Sequence, residues 1–417
     1  MTGRLIRVRG LVQGVGFRPC VWRLATELGL RGWVRNDGDG VTIALAGARA
    51  DEFLTCLPQQ APRLARIDAI EVTPAEVPET GFAIVDSVPG PVRTAIGPDS
   101  APCRDCLADL FDPGNRRWRY AFTTCTHCGP RFSVSRRIPY DRANTSLASF
   151  ALCPACAAEY RTPGDRRFHA ETTCCPVCGP TLRLLDGKGQ PVSGDPIAQA
   201  LAVLRSGAVL AVKGLGGFHL AVDARQPDAV ARLRQRKQRE QKPLALMGLN
   251  VASLAAVADV GAAEAALLQS PQAPIVLCPK ANLELAGVAP GLAWIGAMLP
   301  ATPIQYLLWH EAAGQPTGTD WLDQPSDLLL VMSSANPHGE PLVRDNDEAL
   351  QRLAGIADAV LLHDRDIVAR CDDSVLRPGP TLIRRARGFT PQPIALAQDG
   401  PTVLALGAAP NRRSAPR

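Results

Sequence analysis

Cys103-Arg-Asp-Cys106, Cys125-Thr-His-Cys128, Cys153-Pro-Ala-Cys156 and Cys175-Pro-Val-Cys178 decide how this chain is read. Intervals of 18, 24 and 18 residues separate the four pairs. A shift of fifty residues lays the segment on itself. Pro113-Gly-Asn-Arg-Arg-Trp118 then meets Pro163-Gly-Asp-Arg-Arg-Phe168, and Cys128-Gly-Pro130 meets Cys178-Gly-Pro180. The segment is an internal repeat. Two sulfurs separated by two residues grip one metal from a tight turn, and two such turns complete the tetrahedral thiolate site that zinc prefers. The array predicts two structural zinc sites built from Cys103, Cys106, Cys125, Cys128, Cys153, Cys156, Cys175 and Cys178. Cys174 falls opposite Thr124, which makes Cys175 the ligand and leaves Cys174 spare. Pairing within each repeat is the simplest scheme, and crossed pairing of outer with inner pairs is compatible with the same spacing. A closed four-thiolate site has no open coordination position, so it serves folding rather than catalysis.

Working outward, composition bounds the alternatives. The 417 residues exceed one ordinary core and imply two or three domains. The N-terminus scatters arginines through its apolar residues, unlike a signal peptide, and no apolar run is long enough for a membrane span. Thirteen cysteines then belong to a reducing cytoplasm, where paired cysteines mean metal more often than disulfide. Iron–sulfur proteins use other spacings. The net charge of +5 lies almost wholly in residues 91–180, which carry twelve Lys+Arg against eight Asp+Glu. Eight thiolates and two zinc ions offset that surplus, so a broad nucleic-acid surface is not implied.

The first ninety residues read as β-α-β-β-α-β, the order of a ferredoxin-like sandwich. Arg4–Leu11 alternates like a strand, Pro19 opens a helix ended by Gly29, and Gly32–Asn36 and Val41–Ala46 make a hairpin. Asp51–Leu57 is a second helix, and Arg66–Thr73 and Gly81–Asp86 supply further strands. Glycines before a helix let backbone N–H groups converge on a phosphate, and Arg18 adds a bidentate clamp. Gln13-Gly-Val-Gly-Phe-Arg18 together with Gly32-Trp-Val-Arg-Asn36 resembles the acylphosphatase signature. The resemblance implies that Arg18 binds the phosphoryl group and Asn36 orients the attacking water. Neither is a general base, so catalysis would rest on positioning and charge stabilisation.

Asp186–Pro196 reads as a linker. A helix at Ile197–Arg205 and a strand at Ala208–Val212 then lead into Lys213-Gly-Leu-Gly-Gly-Phe-His219, a glycine-rich loop matching neither a Walker A nor a dinucleotide fingerprint. Residues 228–239 form a basic helix that runs into Lys242-Pro243. Taken with Ser333-Ser-Ala-Asn336 and Arg370-Cys-Asp-Asp-Ser374, this segment resembles the YrdC family, an α/β domain with a twisted open sheet that binds ATP and makes carbamoyl-type adenylates. That resemblance covers about residues 197–390 and implies an ATP and carbamoyl-adenylate site at Lys213, Arg236, Lys242, Ser333, Ser334, Asn336 and Ser374. His219, His338 and His363 read as hydrogen-bonding residues, since no paired histidine spacing is present.

Acylphosphatase, doubled four-cysteine module and YrdC-like domain in this order resemble the HypF-type carbamoyltransferases of nickel–iron hydrogenase maturation. The expected organisation is an α+β multidomain chain with an acylphosphatase domain over 1–90, a two-zinc module over 91–185 and a YrdC-like domain over 197–390. The resemblance implies hydrolysis of carbamoyl phosphate, consumption of ATP with Mg2+ to form carbamoyl-adenylate, and transfer to a cysteine of a HypE-type protein. The family's transfer domain carries His-x-x-x-His, a spacing absent among the six histidines, so residues 391–417 are expected to be its truncated start and the last transfer to be lost. Two rivals remain. One is a threonylcarbamoyl-adenylate synthase for tRNA modification, which needs no acylphosphatase site. The other is a zinc-dependent RNA- or protein-binding module using the helix at 228–239.

Overall fold

The structure, a computed structural model, describes residues 2–78, 81–88, 90, 96–337, 339–379, 381–394, 400–401 and 403. His338, and residues 395–399, 402 and 404–417 of the expected segment 391–417, lie outside the described residues. The chain forms two compact units, one of Met1–Leu110, Gly114–Pro180 and Thr390–Gln392, the other of Phe111–Pro113, Thr181–Phe389 and Pro393–Arg417.

The first unit opens with strand β1 (Thr2–Leu11), helix α1 (Phe17–Glu27), strands β2 (Arg31–Asn36) and β3 (Val41–Ala46), helix α2 (Ala50–Gln59), and strands β4 (Arg66–Glu76) and β5 (Phe82–Ile84). The sheet order is β4-β1-β3-β2-β5. Its first four strands pair antiparallel, while β5 runs parallel to β2. Along β2 every second side chain, Gly32, Val34 and Asn36, is buried, as the pleat requires of a half-covered sheet. Helix α1 presents Phe17, Val21, Leu24 and Ala25 to the same core as Ile6, Ile43, Leu45, Phe53 and Leu57. Each of these side chains larger than alanine contributes roughly 1.5–3 kcal/mol on burial.

The finger repeat follows in the same unit. Helices α3 (Arg104–Leu110) and α4 (Pro154–Arg161) each begin at a cysteine pair. Fifty residues apart, Arg119 and His169 both adopt positive φ, 52° and 51°, and their N–H groups donate to Leu110 O and Tyr160 O. The two fingers also grip each other reciprocally. Arg116 and Arg117 pair with Glu159, and Arg166 and Arg167 pair with Asp109. The sequence repeat has therefore folded as a reciprocal pair.

The second unit runs through β6 (Leu182–Asp186), α5 (Pro196–Arg205), β7 (Leu210–Lys213), β8 (Phe218–Asp223), α6 (Pro227–Lys237), β9 (Ala245–Met247), α7 (Val251–Leu254), α8 (Ala262–Leu268), β10 (Ile275–Pro279), β11 (Trp294–Met298), α9 (Pro303–Ala312), β12 (Leu330–Ser334), α10 (Asn346–Arg352), β13 (Ala359–His363), β14 (Val375–Arg377) and β15 (Thr381–Arg384). One ten-stranded mixed sheet has the order β15-β14-β10-β11-β9-β12-β8-β7-β13-β6. Its core includes Phe218, Leu220, Leu233, Leu246, Val276 and Val331. Leu182–Asp186, at the boundary between the expected finger module and linker, forms the edge strand β6, paired antiparallel with β13. The following stretch is not a free linker at its start. Val192 N–H donates to Leu184 O, folding residues 187–192 back on that edge.

Candidate functional site

The eight predicted cysteine ligands converge as two clusters, Cys103, Cys106, Cys125, Cys128 and Cys153, Cys156, Cys175, Cys178, with sulfurs within 4.8 Å of one another in each. Pairing is within each repeat, and the crossed scheme is not realised. Metal–sulfur bonds of about 2.3 Å in a tetrahedron require sulfur–sulfur edges of roughly 3.8 Å. The Cys103–Cys125 and Cys125–Cys128 separations are 3.6 and 3.8 Å, and their counterparts Cys153–Cys175 and Cys175–Cys178 are 3.7 and 3.8 Å. Both clusters fit zinc fingers. Arg116 donates to Cys156 Sγ at 3.1 Å and Arg166 to Cys106 Sγ at 3.2 Å, each from the opposite finger, which offsets thiolate charge. Cys174 stands apart from the ligands, accepting from Tyr120 Oη at 3.5 Å.

Gln13–Arg18 forms a cradle at the N-terminus of α1. Gly14 and Gly16 have φ of 71° and 79°, a left-handed turn open chiefly to glycine. The N–H groups of Gly14, Val15 and Gly16 donate to no group among the described residues, so they remain available to an anion at the positive helix end. The cradle is held by its neighbours. Gln13 donates to Asp37 O and Gly40 O, both at 2.7 Å, and accepts from Tyr140 N–H at 3.0 Å. Arg131, from the first finger's sequence, donates to Gly14 O and to Cys125 O, Thr126 O, Cys128 O and Pro130 O.

Arg18 and Asn36, chosen from sequence, do meet. With its amide oxygen turned to the guanidinium, Asn36 accepts from Arg18 Nε at 3.2 Å and Nη2 at 3.3 Å. Arg18 is not an unengaged clamp, however. It lies 2.7 Å from Glu171 and 3.1 Å from Asp141, both contributed by the finger segment. Burial works against its charge, but Glu171 and Asp141 outweigh that cost and hold the guanidinium above its ordinary value. Glu171 is pinned in turn, accepting from Arg142 N–H and Tyr160 Oη, both at 2.9 Å. His169 lines the same recess. Burial and Arg18 push it down to about 4, so it is neutral at pH 7. Sequence reading missed Asp141, His169 and Glu171, because nothing local in a cysteine repeat marks a residue that folds back onto a cradle more than a hundred positions earlier.

In the second unit the basic helix resolves differently from expectation. Arg236 pairs with Asp358 at 2.8 Å and donates to Ile356 O, away from the serine cluster, so its face of α6 is an anchoring one. The next residue turns inward. Lys237 Nζ donates to Ser333 Oγ at 3.0 Å, Asn336 Oδ1 at 3.3 Å and Ser334 O. Arg239 joins it at Ser333 Oγ, 3.1 Å away. Burial and Arg239 push Lys237 down to about 7. Ser333, Ser334 and Asn336 are thus brought together with Lys237 and Arg239, two residues of the basic run that the YrdC resemblance did not single out. Lys213 is buried, donates to Asn346 Oδ1 at 2.8 Å and His363 O at 3.0 Å, and is pushed down to about 8 by burial and Arg365. Lys242 is exposed. Ser374 spends its hydroxyl on backbone, donating to Arg387 O and accepting from Ala386 N–H, both at 2.8 Å, which makes it a structural tie. His219 pairs with Asp373 at 2.8 Å, as a hydrogen-bonding residue.

Comparison with known proteins matches the segments that carry these residues to known families. Family profiles match residues 5–84 as acylphosphatase, 103–135 and 152–185 as HypF finger, and 202–386 as the Sua5, YciO and YrdC family described as telomere recombination. Carbamoyltransferase HypF2 of Cupriavidus necator is 61% identical over 96% of this chain and 52% of its own length. The probable carbamoyltransferase HypF of Methanocaldococcus jannaschii is 40% identical over 97% of the chain and 52% of its own. An acylphosphatase of Caldivirga maquilingensis is 46% identical over 83 residues, 86% of its length. A crystal structure of full-length HypF in a phosphate- and nucleotide-bound form superposes with a TM-score of 0.89 at 42% identity, over 95% of this chain and 52% of that one. The chain spans about half the length of the curated HypF relatives it matches. No described helix is long and apolar enough to cross a membrane. With acylphosphatase, finger and YrdC-like portions in the order of those relatives, the chain belongs to the HypF carbamoyltransferase family.

Proposed function

We propose that this chain carries out the opening steps of a HypF-type carbamoyl transfer, as a cytoplasmic enzyme with domains at 1–90, 91–185 and 197–390 and a further segment at 391–417. Carbamoyl phosphate seats its phosphoryl group on the N–H groups of Gly14–Gly16 and on Arg18. Asn36 orients water, and phosphate leaves to give carbamate. In the second unit, ATP with Mg2+ binds over Lys237, Arg239, Ser333, Ser334 and Asn336, with Lys213 and Lys242 contributing positive charge. Carbamate attacks the α-phosphorus, carbamoyl-adenylate forms and pyrophosphate departs. The acceptor is the C-terminal cysteine of a HypE-type protein. The cysteine clusters would each hold one structural zinc, which fixes the finger fold and takes no part in these steps.

The observation that carries this reading is the convergence of Arg18 with Asn36 beside three undirected N–H groups, donors arranged for an oxyanion that is not yet there. The phosphate- and nucleotide-bound state of the full-length HypF relative supports both halves. The purified chain given carbamoyl phosphate and ATP should release phosphate and pyrophosphate in parallel. Pyrophosphate formed equally well without carbamoyl phosphate would overturn the link between the halves.

A further inference from the structure

The recess around Arg18 holds a charged group that phosphate chemistry alone does not call for. Glu171 is almost fully buried and lines the cavity together with Gly14, Gly16, Arg18, Asn36 and His169. Glu171 offsets the buried charge of Arg18, but a carboxylate close to a phosphate site also weakens anion binding, so counter-charge is an incomplete account of it. Its two oxygens are used unequally. Oε2 is saturated by Arg142 N–H and Tyr160 Oη, which fix the side chain in place. Oε1 receives Arg18 Nη2 alone, at 2.7 Å, and keeps a lone pair for another donor.

An acyl phosphate whose acyl carbon bears only a carbon substituent presents no hydrogen-bond donor at that carbon. Carbamoyl phosphate bears an NH2 there, and acetyl phosphate presents a methyl group of similar size. We propose that Glu171 is the residue that selects a carbamoyl group in this site, its Oε1 accepting from the carbamoyl NH2 while the phosphoryl group rests on Arg18 and the Gly14–Gly16 N–H groups. The inference builds on the proposed carbamoyl phosphate hydrolysis and names its specificity element. Arg18 then bridges two anions through different nitrogens, and Asp141 is the contact that an incoming phosphoryl group replaces. A methyl group against a pinned carboxylate gains nothing and keeps water from it, so the analogue is penalised at the same atom. The second finger, which supplies Glu171, thereby sets substrate choice without touching the phosphoryl group.

The test measures kcat/KM for carbamoyl phosphate and for acetyl phosphate on one preparation, so that any misfolded fraction cancels in the ratio. Wild type should prefer carbamoyl phosphate, and Glu171→Leu should shrink that preference by about tenfold or more, the loss expected of a hydrogen bond to a charged acceptor. Glu171→Gln, which keeps an acceptor oxygen, should retain most of it. An unchanged ratio in Glu171→Leu with zinc content intact overturns the assignment, as does a wild type indifferent between the two substrates. Phosphate release from neither substrate defeats the hydrolysis reading itself and is told apart by that.

Discussion

The two buried cationic sites solve one problem in opposite ways. Arg18 is ringed by carboxylates, Glu171 and Asp141, whereas Lys237 is ringed by neutral oxygens of Ser333, Ser334 and Asn336. A guanidinium does not give up its proton, so burying it demands counter-charge. An ammonium group can do so, and Lys237 falls to about 7, its hydrogen bonds going to neutral oxygens while Asp372 only partly offsets the effect of burial. The first site is therefore a permanent cation held ready by the finger repeat, and the second a titrating one that an anion would recharge.

The largest effect that separates the sites should come from stripping metal. Structural zinc contributes on the order of 10 kcal/mol to finger folding. Chelation should unfold the repeat, remove Glu171 and Asp141 from Arg18 and abolish acyl phosphate hydrolysis. Nucleotide affinity, measured by calorimetry, should stay nearly the same; equal loss at both sites would break the contrast. Next in size is Arg18→Met, which leaves two carboxylates without their cation and should destabilise the first unit by about 3–5 kcal/mol in denaturant melts. Lys237→Met should cost far less stability, because a neutral side chain there leaves no orphaned charge, yet weaken ATP binding about tenfold. Similar stability losses from the two substitutions would contradict the account.

A pH experiment sharpens the same point. Lys237 has a folded value of about 7 against 10.5 when unfolded, so the unfolded chain binds more protons between those values and stability from this group rises with pH across that window. ATP favours the charged form. Its affinity should fall as pH passes upward through about 7, with proton uptake on binding seen as a buffer-dependent heat. The smallest effect belongs to Arg236→Ala. Its half-exposed pair with Asp358 is worth roughly 0–1 kcal/mol, and ATP affinity should scarcely change.

Much of this was legible beforehand for physical reasons. The strand alternation, the glycine turn and the cysteine spacing are local patterns, and β1 to β5 and both metal clusters follow from them, whereas the meeting of Arg18 with Asn36 is implied only by the acylphosphatase resemblance. In-repeat pairing was not fixed by spacing, since cysteine intervals constrain a loop and not its partner. Arg236 is a residue the YrdC resemblance implies, and a charge run by itself does not reveal which face of its helix turns inward. In the structure Arg236 anchors on Asp358, far along the chain, and the neighbouring lysine meets the serines. Ser374 and β6 show the same dependence on distant partners, one bonded to Arg387 and Ala386, the other paired with a strand nearly two hundred residues away. Glu171 was invisible because its meaning lies in the site it reaches.

The cradle at Gly14–Arg18 is proposed to hydrolyse an acyl phosphate with Arg18 and Asn36 as its working groups. Phosphate release from carbamoyl phosphate should be readily measured for wild type and fall by about a hundredfold or more in both Arg18→Ala and Asn36→Ala. Release that continues at the wild-type rate in either folded, zinc-replete variant would contradict it.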